Sequence, residues 1–352
     1  MARKGESTST RMKKTFSLPS RVVSGILLLT LALLAGCVPE APPTREPGRD
    51  FRADMRDLVC RIGRVAREMK PGFLVIPQNG LELLTRDGRG EGEAVSRYIA
   101  CIDGVAQESL FFGYDGMDRP TPRSVRERLI PLAALARKHD LPVLVTDYCR
   151  DKARVDRSRA LNLGHDHLSF AASSRDLDHI PAYPDPPAHL SCGRLSRLEE
   201  ARNFLYILNL SAFPSKDAFV DTVYRTRYDI LVTDPFFLGT VPFTRREVLA
   251  LKRKACGGNR LVLAYLSIGE AEDYRPYWKA AWKAAPPPWL EEENPDWPGN
   301  YKVRYWMEDW QEILLGGEGS RLHQIVDAGF DGVYLDIIDA FEYFEAREKQ
   351  ED

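Results

Sequence analysis

Eight apolar runs alternate with helical patterns along this chain, and that rhythm leaves few folds open. The runs are Phe73–Pro77, Val105–Phe112, Pro142–Asp147, His167–Ala171, Phe204–Leu208, Asp229–Asp234, Leu261–Ser267 and Gly332–Ile337. Helical patterns separate them at Met55–Met69, Glu93–Cys101, Val125–His139, Asp151–Leu163, Lys216–Arg227, Arg245–Ala255 and Trp310–Ala328. Near-continuous Val/Ile/Leu runs are what parallel strands buried on both faces require. Strand–helix alternation predicts a parallel sheet. Eight such units in about 300 residues favour a (β/α)8 TIM barrel over an open doubly wound sheet. No GxGxxG or GxxxxGK[ST] follows any run, which argues against a nucleotide site.

The first residues read as a targeting segment. Arg3, Lys4, Arg11, Lys13, Lys14 and Arg21 make a basic stretch, and Val22 to Ala35 an apolar one too short to span a bilayer. It ends in Leu34-Ala35-Gly36-Cys37, which resembles the lipobox of bacterial lipoproteins. That resemblance implies cleavage before Cys37 and acylation of that cysteine, hence a membrane partner through the lipid and a place in the cell envelope. The domain reading follows: 1–36 a signal peptide, 37–50 a lipidated Cys and Pro-rich tether, 51–352 one barrel. With 352 residues, 44% of them hydrophobic, and a net charge of −2, the chain gives no support for nucleic acid as a partner. A monomer needing no cofactor is expected.

Cys60, Cys101, Cys149, Cys192 and Cys256 remain, without a CxxC pair or metal spacing. Most are expected to be small buried apolar residues. His165 and His167, two apart on one strand face, lack a third ligand, so a structural role is expected and no metal site. The Pro-rich stretch Ile180 to Pro187 reads as a connector. The loop from Glu270 to Asp309 holds five of the six tryptophans, and about half of those are expected to offer platforms for sugar rings.

Two stretches carry the chemistry. Gly332 to Asp339 and Asp103 to Phe112 each bring a carboxylate, Asp336 and Glu108, to the C-terminal end of a strand. In a barrel of this kind that end is the catalytic face. Two carboxylates facing one another there are the minimal equipment for cleaving a glycosidic bond. Asp336 is expected to be the nucleophile or water-activating base, and Glu108 the general acid. The competing role for Asp336, or for Asp339, is a helix cap.

The C-terminal half is more specific. Tyr228 to Asp234, Ala264 to Arg275, Asn294-Pro295-Asp296-Trp297-Pro298-Gly299-Asn300 and Gly329 to Asp336 resemble the first four strands of glycoside hydrolase family 114. Phe73 to Gly80, Asp103 to Glu108, Pro142 to Tyr148 and Arg175 to Asp178 resemble its strands five to eight. The resemblance implies a barrel, endo-α-1,4-polygalactosaminidase-like activity on a polysaccharide, and catalytic roles for Asp336 and Glu108. It also implies a circular permutation, with strand order 5-6-7-8-1-2-3-4. The second-half units would occupy 51–178, a connector 179–200, and the first-half units 201–345.

Further acidic and aromatic residues are expected at the same face and are assigned to substrate binding: Asp234, Glu272, Glu270, Asp147, Asn79, Tyr265, Tyr305, Trp306 and Asp339. A mouth this acidic would attract a cationic substrate, and de-N-acetylated galactosamine units carry ammonium groups.

Overall fold

The computed structural model describes residues 48–351. The expected signal segment, Cys37 and nearly all of the tether therefore lie outside the described residues.

The chain enters α1 (Phe51–Met69), where the Asp50 carboxylate accepts from the N–H of Ala53 at 2.9 Å. Met55, Leu58, Val59, Ile62 and Ala66 form its buried stripe, spaced as one helix face requires. There follow β1 (Leu74–Pro77), α2 (Ser96–Ile99), β2 (Val105–Glu108), α3 (Arg123–Lys138), β3 (Val143–Tyr148), α4 (Lys152–Gly164) and β4 (Leu168–Ala172). The second half runs β5 (Phe204–Ile207), α5 (Lys216–Arg225), β6 (Ile230–Thr233), a small hairpin of β7 (Phe236–Phe237) and β8 (Val241–Pro242), α6 (Arg245–Leu251) and β9 (Leu261–Ser267). It ends with β10 (Glu270–Glu272), β11 (Leu290–Glu293), β12 (Asn300–Val303), α7 (Glu308–Leu315), α8 (Arg321–Ala328), β13 (Gly332–Asp336) and α9 (Ala340–Glu351).

The long strands form two parallel ladders. One has the order β1-β13-β9-β6-β5, the other β2-β3-β4. They adjoin at β1 and β2, where the N–H of Asn79 donates to the carbonyl of Ala106 at 2.8 Å and that of Asp103 to Val75 at 2.9 Å. At the other pair of edges the rings of Phe170 and Phe204 meet at 5.5 Å between centroids, and the Leu208 N–H donates to the Leu177 carbonyl at 2.9 Å. All seven residues of β9 and all six of β3 are buried, as helices covering a parallel sheet demand. The fold is thus mixed α/β with parallel strands. The chain's earliest strand pairs with its latest, Leu74 opposite Gly332 through Pro77 opposite Leu335.

Several expectations need correcting. The helix expected over Trp310–Ala328 is two helices, because Gly317 and Gly319 adopt φ of 91° and 93° between them. The strand expected to reach Phe112 stops at Glu108, where Ser109 turns into the left-handed region at φ 52°. The helix expected at Glu93–Cys101 is only Ser96–Ile99. The tryptophan-rich stretch is not all loop: β10, β12 and β11 make an antiparallel sheet.

The cysteines also differ from expectation. Cys60 pairs with Cys101 and Cys192 with Cys256, and Cys149 is free and buried. The second disulfide fastens the connector to the turn before β9. Asn259 grips both the N–H and the carbonyl of Leu195 at 2.8 Å, and the Lys254 ammonium donates to the Ser191 carbonyl at 3.0 Å. His165 caps α4 rather than lying on a strand, and its ring stacks on His167 at 5.5 Å.

Candidate active site

The C-terminal ends of the parallel strands open into a cavity of about 660 Å³. β13 delivers Asp336 to it, β2 delivers Glu108, β9 Tyr265, β3 Tyr148, and the start of α9 Asp339.

Each of these two carboxyls, Asp336 and Glu108, accepts from a tyrosine. The Tyr265 hydroxyl donates to Asp336 Oδ2 at 2.8 Å, and the Tyr148 hydroxyl to Glu108 Oε1 at 2.5 Å. Beneath them the Tyr206 hydroxyl donates to Gln78 Oε1 at 3.0 Å. Asn79 Oδ1 accepts from the Glu108 N–H at 3.1 Å and from Gln107 Nε2 at 3.0 Å, so Asn79 orients the end of β2.

Burial pushes the Asp336 carboxyl up to about 7, the Glu108 carboxylate adds to the rise, and the Tyr265 hydroxyl opposes it. Burial also raises Glu108, against the Tyr148 hydroxyl and the Arg175 guanidinium. Asp339 is raised to about 7 by burial and by the Asp336 and Glu342 carboxylates. Burial thus favours the protonated form of both carboxyls, and the Glu108 charge adds to this at Asp336.

The backbone is strained where these groups are presented. Asn79, Ser109, Leu177 and Ile337 have φ of 62°, 52°, 47° and 58°, and Ser109 and Ile337 directly follow Glu108 and Asp336. For the β-branched Ile337 this costs on the order of 1–3 kcal/mol, a cost that active sites tolerate. Gly269 makes room for it, since a Cβ there would lie 2.3 Å from the Ile337 carbonyl oxygen.

The remaining acidic residues are largely engaged. Arg275 is buried and donates to Asp234 Oδ1 at 2.8 Å and to Glu272 Oε2 at 2.7 Å. Burial alone would raise Glu272, but Arg275 overcomes it and holds the carboxylate below its usual range. Burial outweighs the same partner at Asp234, which is raised. Glu270 accepts from Lys302 Nζ at 2.5 Å and from Asn294 Nδ2 at 2.8 Å. All three line the cavity; Lys302 balances Glu270, and Asp234 and Glu272 share the single charge of Arg275.

Three of the residues assigned to binding lie elsewhere. Asp147 is fully buried away from the cavity and accepts from the N–H groups of Phe111 and Phe112 and from Ser158 Oγ at 2.6 Å. Neighbouring strand residues face opposite ways, so Tyr148 faces the cavity and Asp147 the layer of α4. Tyr305 is buried and donates to the Phe51 carbonyl at 2.8 Å, while Trp306 packs its ring 5.2 Å from that of Phe51. Both belong to the packing of α1 against α9. Of the five loop tryptophans, Trp278, Trp282 and Trp289 stack among themselves and onto Trp310. Trp297 is 54% exposed and lines the cavity. Arg175, Arg275, Gln78 and Tyr206 are site residues that sequence reasoning did not single out. Their position at or just past strand ends is the signal that could have found them.

Comparison with known proteins bears on the same half of the chain. Residues 221–352 match the model of glycoside-hydrolase family GH114. The match contains Asp234, Glu272, Asp336 and Asp339 and leaves Glu108 outside it. An uncharacterized protein of Deinococcus radiodurans is 41% identical over 128 residues, which is 36% of this chain and 39% of that protein. One of Thermotoga maritima, also uncharacterized, is 54% identical over 82 residues, 23% of this chain and 24% of its own. The chain thus spans well under half the length of these relatives. The crystal structure of Aspergillus fumigatus Ega3 in complex with galactosamine aligns over 33% of this chain and 39% of that chain, at 25% identity and a TM-score of 0.25.

Proposed function

We propose that this chain is a glycoside hydrolase of the cell envelope, lipid-anchored at Cys37, that cleaves an α-linked galactosamine-type polymer. Asp336 acts as nucleophile or water-activating base and Glu108 as general acid. The observation that carries the reading is the pair itself. Two carboxyls with raised affinity for protons stand at the ends of parallel strands over one cavity, each steadied by a tyrosine. The family match over residues 221–352 agrees with it. Asp339, Asp234, Glu272 and Glu270 shape and charge the cleft around the substrate.

The scaffold is a closed (β/α)8 barrel in permuted order. Supporting this are the parallel register of β1 on β13, the bridge from β1 to β2, and the Phe170–Phe204 contact at the remaining edge. A ring has no privileged first strand, so moving the chain ends leaves its layers intact. The two disulfides suit an oxidising compartment outside the cytoplasm.

The test is release of reducing ends from de-N-acetylated α-1,4-galactosaminan. Glu108→Gln and Asp336→Asn should each lose at least about 10²–10⁴-fold in kcat with the fold intact. Full activity in either variant would refute the pair. Binding without turnover in the wild type would favour a silent carbohydrate-binding lipoprotein, and turnover of another polymer alone would change the glycan. Mass spectrometry of the native protein should find lipid on Cys37.

A further inference from the structure

The loop that follows β4 carries a second cluster of reactive groups, apart from the carboxyl pair. The Ser173 hydroxyl lies 2.8 Å from His179 Nε2, and His179 Nδ1 lies 2.6 Å from Asp178 Oδ1. A carboxylate can only accept, so Nδ1 carries the proton shared with Asp178. In the neutral ring that leaves the Nε2 lone pair to accept from the Ser173 hydroxyl. Burial works to raise the Asp178 carboxyl, but the His179 ring, the residue's own N–H and the Ser174 hydroxyl outweigh it and hold it below its usual range. The carboxylate is therefore ionised near neutrality, as the orienting member of a serine–histidine–aspartate relay must be.

The backbone fixes this arrangement from both sides. Ser173 directly follows the end of β4, and Arg150 Nε donates to its carbonyl at 2.8 Å. Leu177 turns through the left-handed region at φ 47°, and its carbonyl accepts from the N–H groups of Leu208 and Asn209 at 2.9 and 3.2 Å. The Asp176 N–H donates to Ser174 Oγ at 3.1 Å, so the turn between the serine and the Asp178–His179 pair is also bonded within itself. The side chains of His179 and Asp178 are 47% and 32% exposed, so a substrate can reach them from solvent. None of the three lines the cleft, although Arg175, Asp176 and Leu177 between them do. The cluster thus stands on the rim of the same face. Arg150 brings a guanidinium to the serine, and among the described residues its side chain donates to no other group. A cation there is placed to stabilise an oxyanion formed at Ser173.

We propose that Ser173, His179 and Asp178 form a second catalytic centre, which hydrolyses esters of short acyl groups. It does not depend on the glycoside hydrolase reading. Ser173 Oγ bonds to the carbonyl carbon while its proton passes to His179 Nε2. The carbon–oxygen bond to the alcohol then breaks, and the alcohol oxygen takes that proton. Water attacks the acyl-serine by the same route, which releases the carboxylic acid and restores the hydroxyl. Asp178 keeps the ring in the tautomer this needs and stabilises its positive charge. The acyl group is short because an exposed cluster outside the cleft has no walls to hold a long one. The substrate is an ester because an alcohol leaves more readily than an amine.

The experiment treats the folded protein with a fluorophosphonate, which bonds covalently to activated serines, and locates the adduct by peptide mass spectrometry. p-Nitrophenyl acetate serves as the substrate in parallel. The adduct should appear on Ser173, and p-nitrophenol release should fall to the buffer rate in Ser173→Ala. A positioned base contributes about 10²–10⁴-fold, so His179→Ala should slow labelling at least about 100-fold. Asp178→Asn turns the ring to the wrong tautomer and should slow it at least about tenfold. Wild type that remains unlabelled at Ser173 overturns the proposal without recourse to any variant. So does labelling as fast in His179→Ala as in wild type, or ester hydrolysis undiminished in Ser173→Ala. Each of these results would leave the carboxyl pair and its proposed reaction untouched.

Discussion

Replacing Asp336 should make the protein more stable, by an amount that depends on pH in a set direction. Asp336 moves from an ordinary 3.8 to about 7 on folding, mainly through burial and next through repulsion from Glu108. A raised carboxyl binds its proton more tightly in the folded state. Its contribution to stability is fully present below pH 4, falls as pH rises, and is lost above about 7. Three units at 1.36 kcal/mol each give a cost of about 4 kcal/mol above pH 7, an upper value because Asp336 faces an open cleft. Asparagine cannot ionise, and its carbonyl oxygen can still accept from Tyr265. Urea unfolding of wild type and Asp336→Asn at pH 8 should show the variant more stable by up to about 4 kcal/mol. At pH 4 the difference should close. A difference no larger at pH 8 than at pH 4 would refute the account of a desolvated charge.

Other outcomes follow from the same contacts. Arg275→Met leaves Asp234 and Glu272 buried without their cation, so unfolding free energy should fall by roughly 3–5 kcal/mol, read by denaturant titration. Trp297→Ala should raise KM for long oligomers several-fold and leave kcat on short ones close to wild type, as expected of a platform remote from the reacting pair. Cys192→Ser opens a bridge between residues 64 apart and should cost about 2–4 kcal/mol; reduced wild type should melt lower in the same way. An ammonium bound near Asp336 lowers its pKa, so the acidic limb of kcat on deacetylated polymer should lie below that of kcat/KM, which reports the free enzyme near 7.

Most of the parallel strands were legible in the sequence because they are buried on both faces, which forces an unbroken apolar run such as Leu261–Ser267. Their ends were less so. Nothing in Glu108-Ser109-Leu110-Phe111-Phe112 says that an apolar run will stop at its only carboxylate, and it stops because Ser109 takes a left-handed turn. Asp147 lies outside the cavity for the same reason that Asp336 lines it. Both are acids at strand ends, but one residue of parity decides whether such an acid meets the cavity or the helices outside. Tyr305 and Trp306 lie outside the cavity for another reason: they follow β12, whose antiparallel pairing with β10 and β11 departs from the strand–helix rhythm of the parallel strands.

Charge was the property that sequence reading judged least well, and the reason is general. Counting carboxylates gives the sign of a mouth only if the cations among them are counted too. Arg275 sits three residues after Glu272 and close to Asp234 only through the fold, and Lys302 reaches Glu270 across the β10–β12 pairing. With those pairs formed, Lys302 balances Glu270 and Arg275 balances half the charge of Asp234 and Glu272, while among the described residues neither Asp336 nor Asp339 has an ion-pair partner. On the proposed reading, an ammonium bound beside Asp336 would do more than gather substrate: it would offset the cost of ionising that carboxyl.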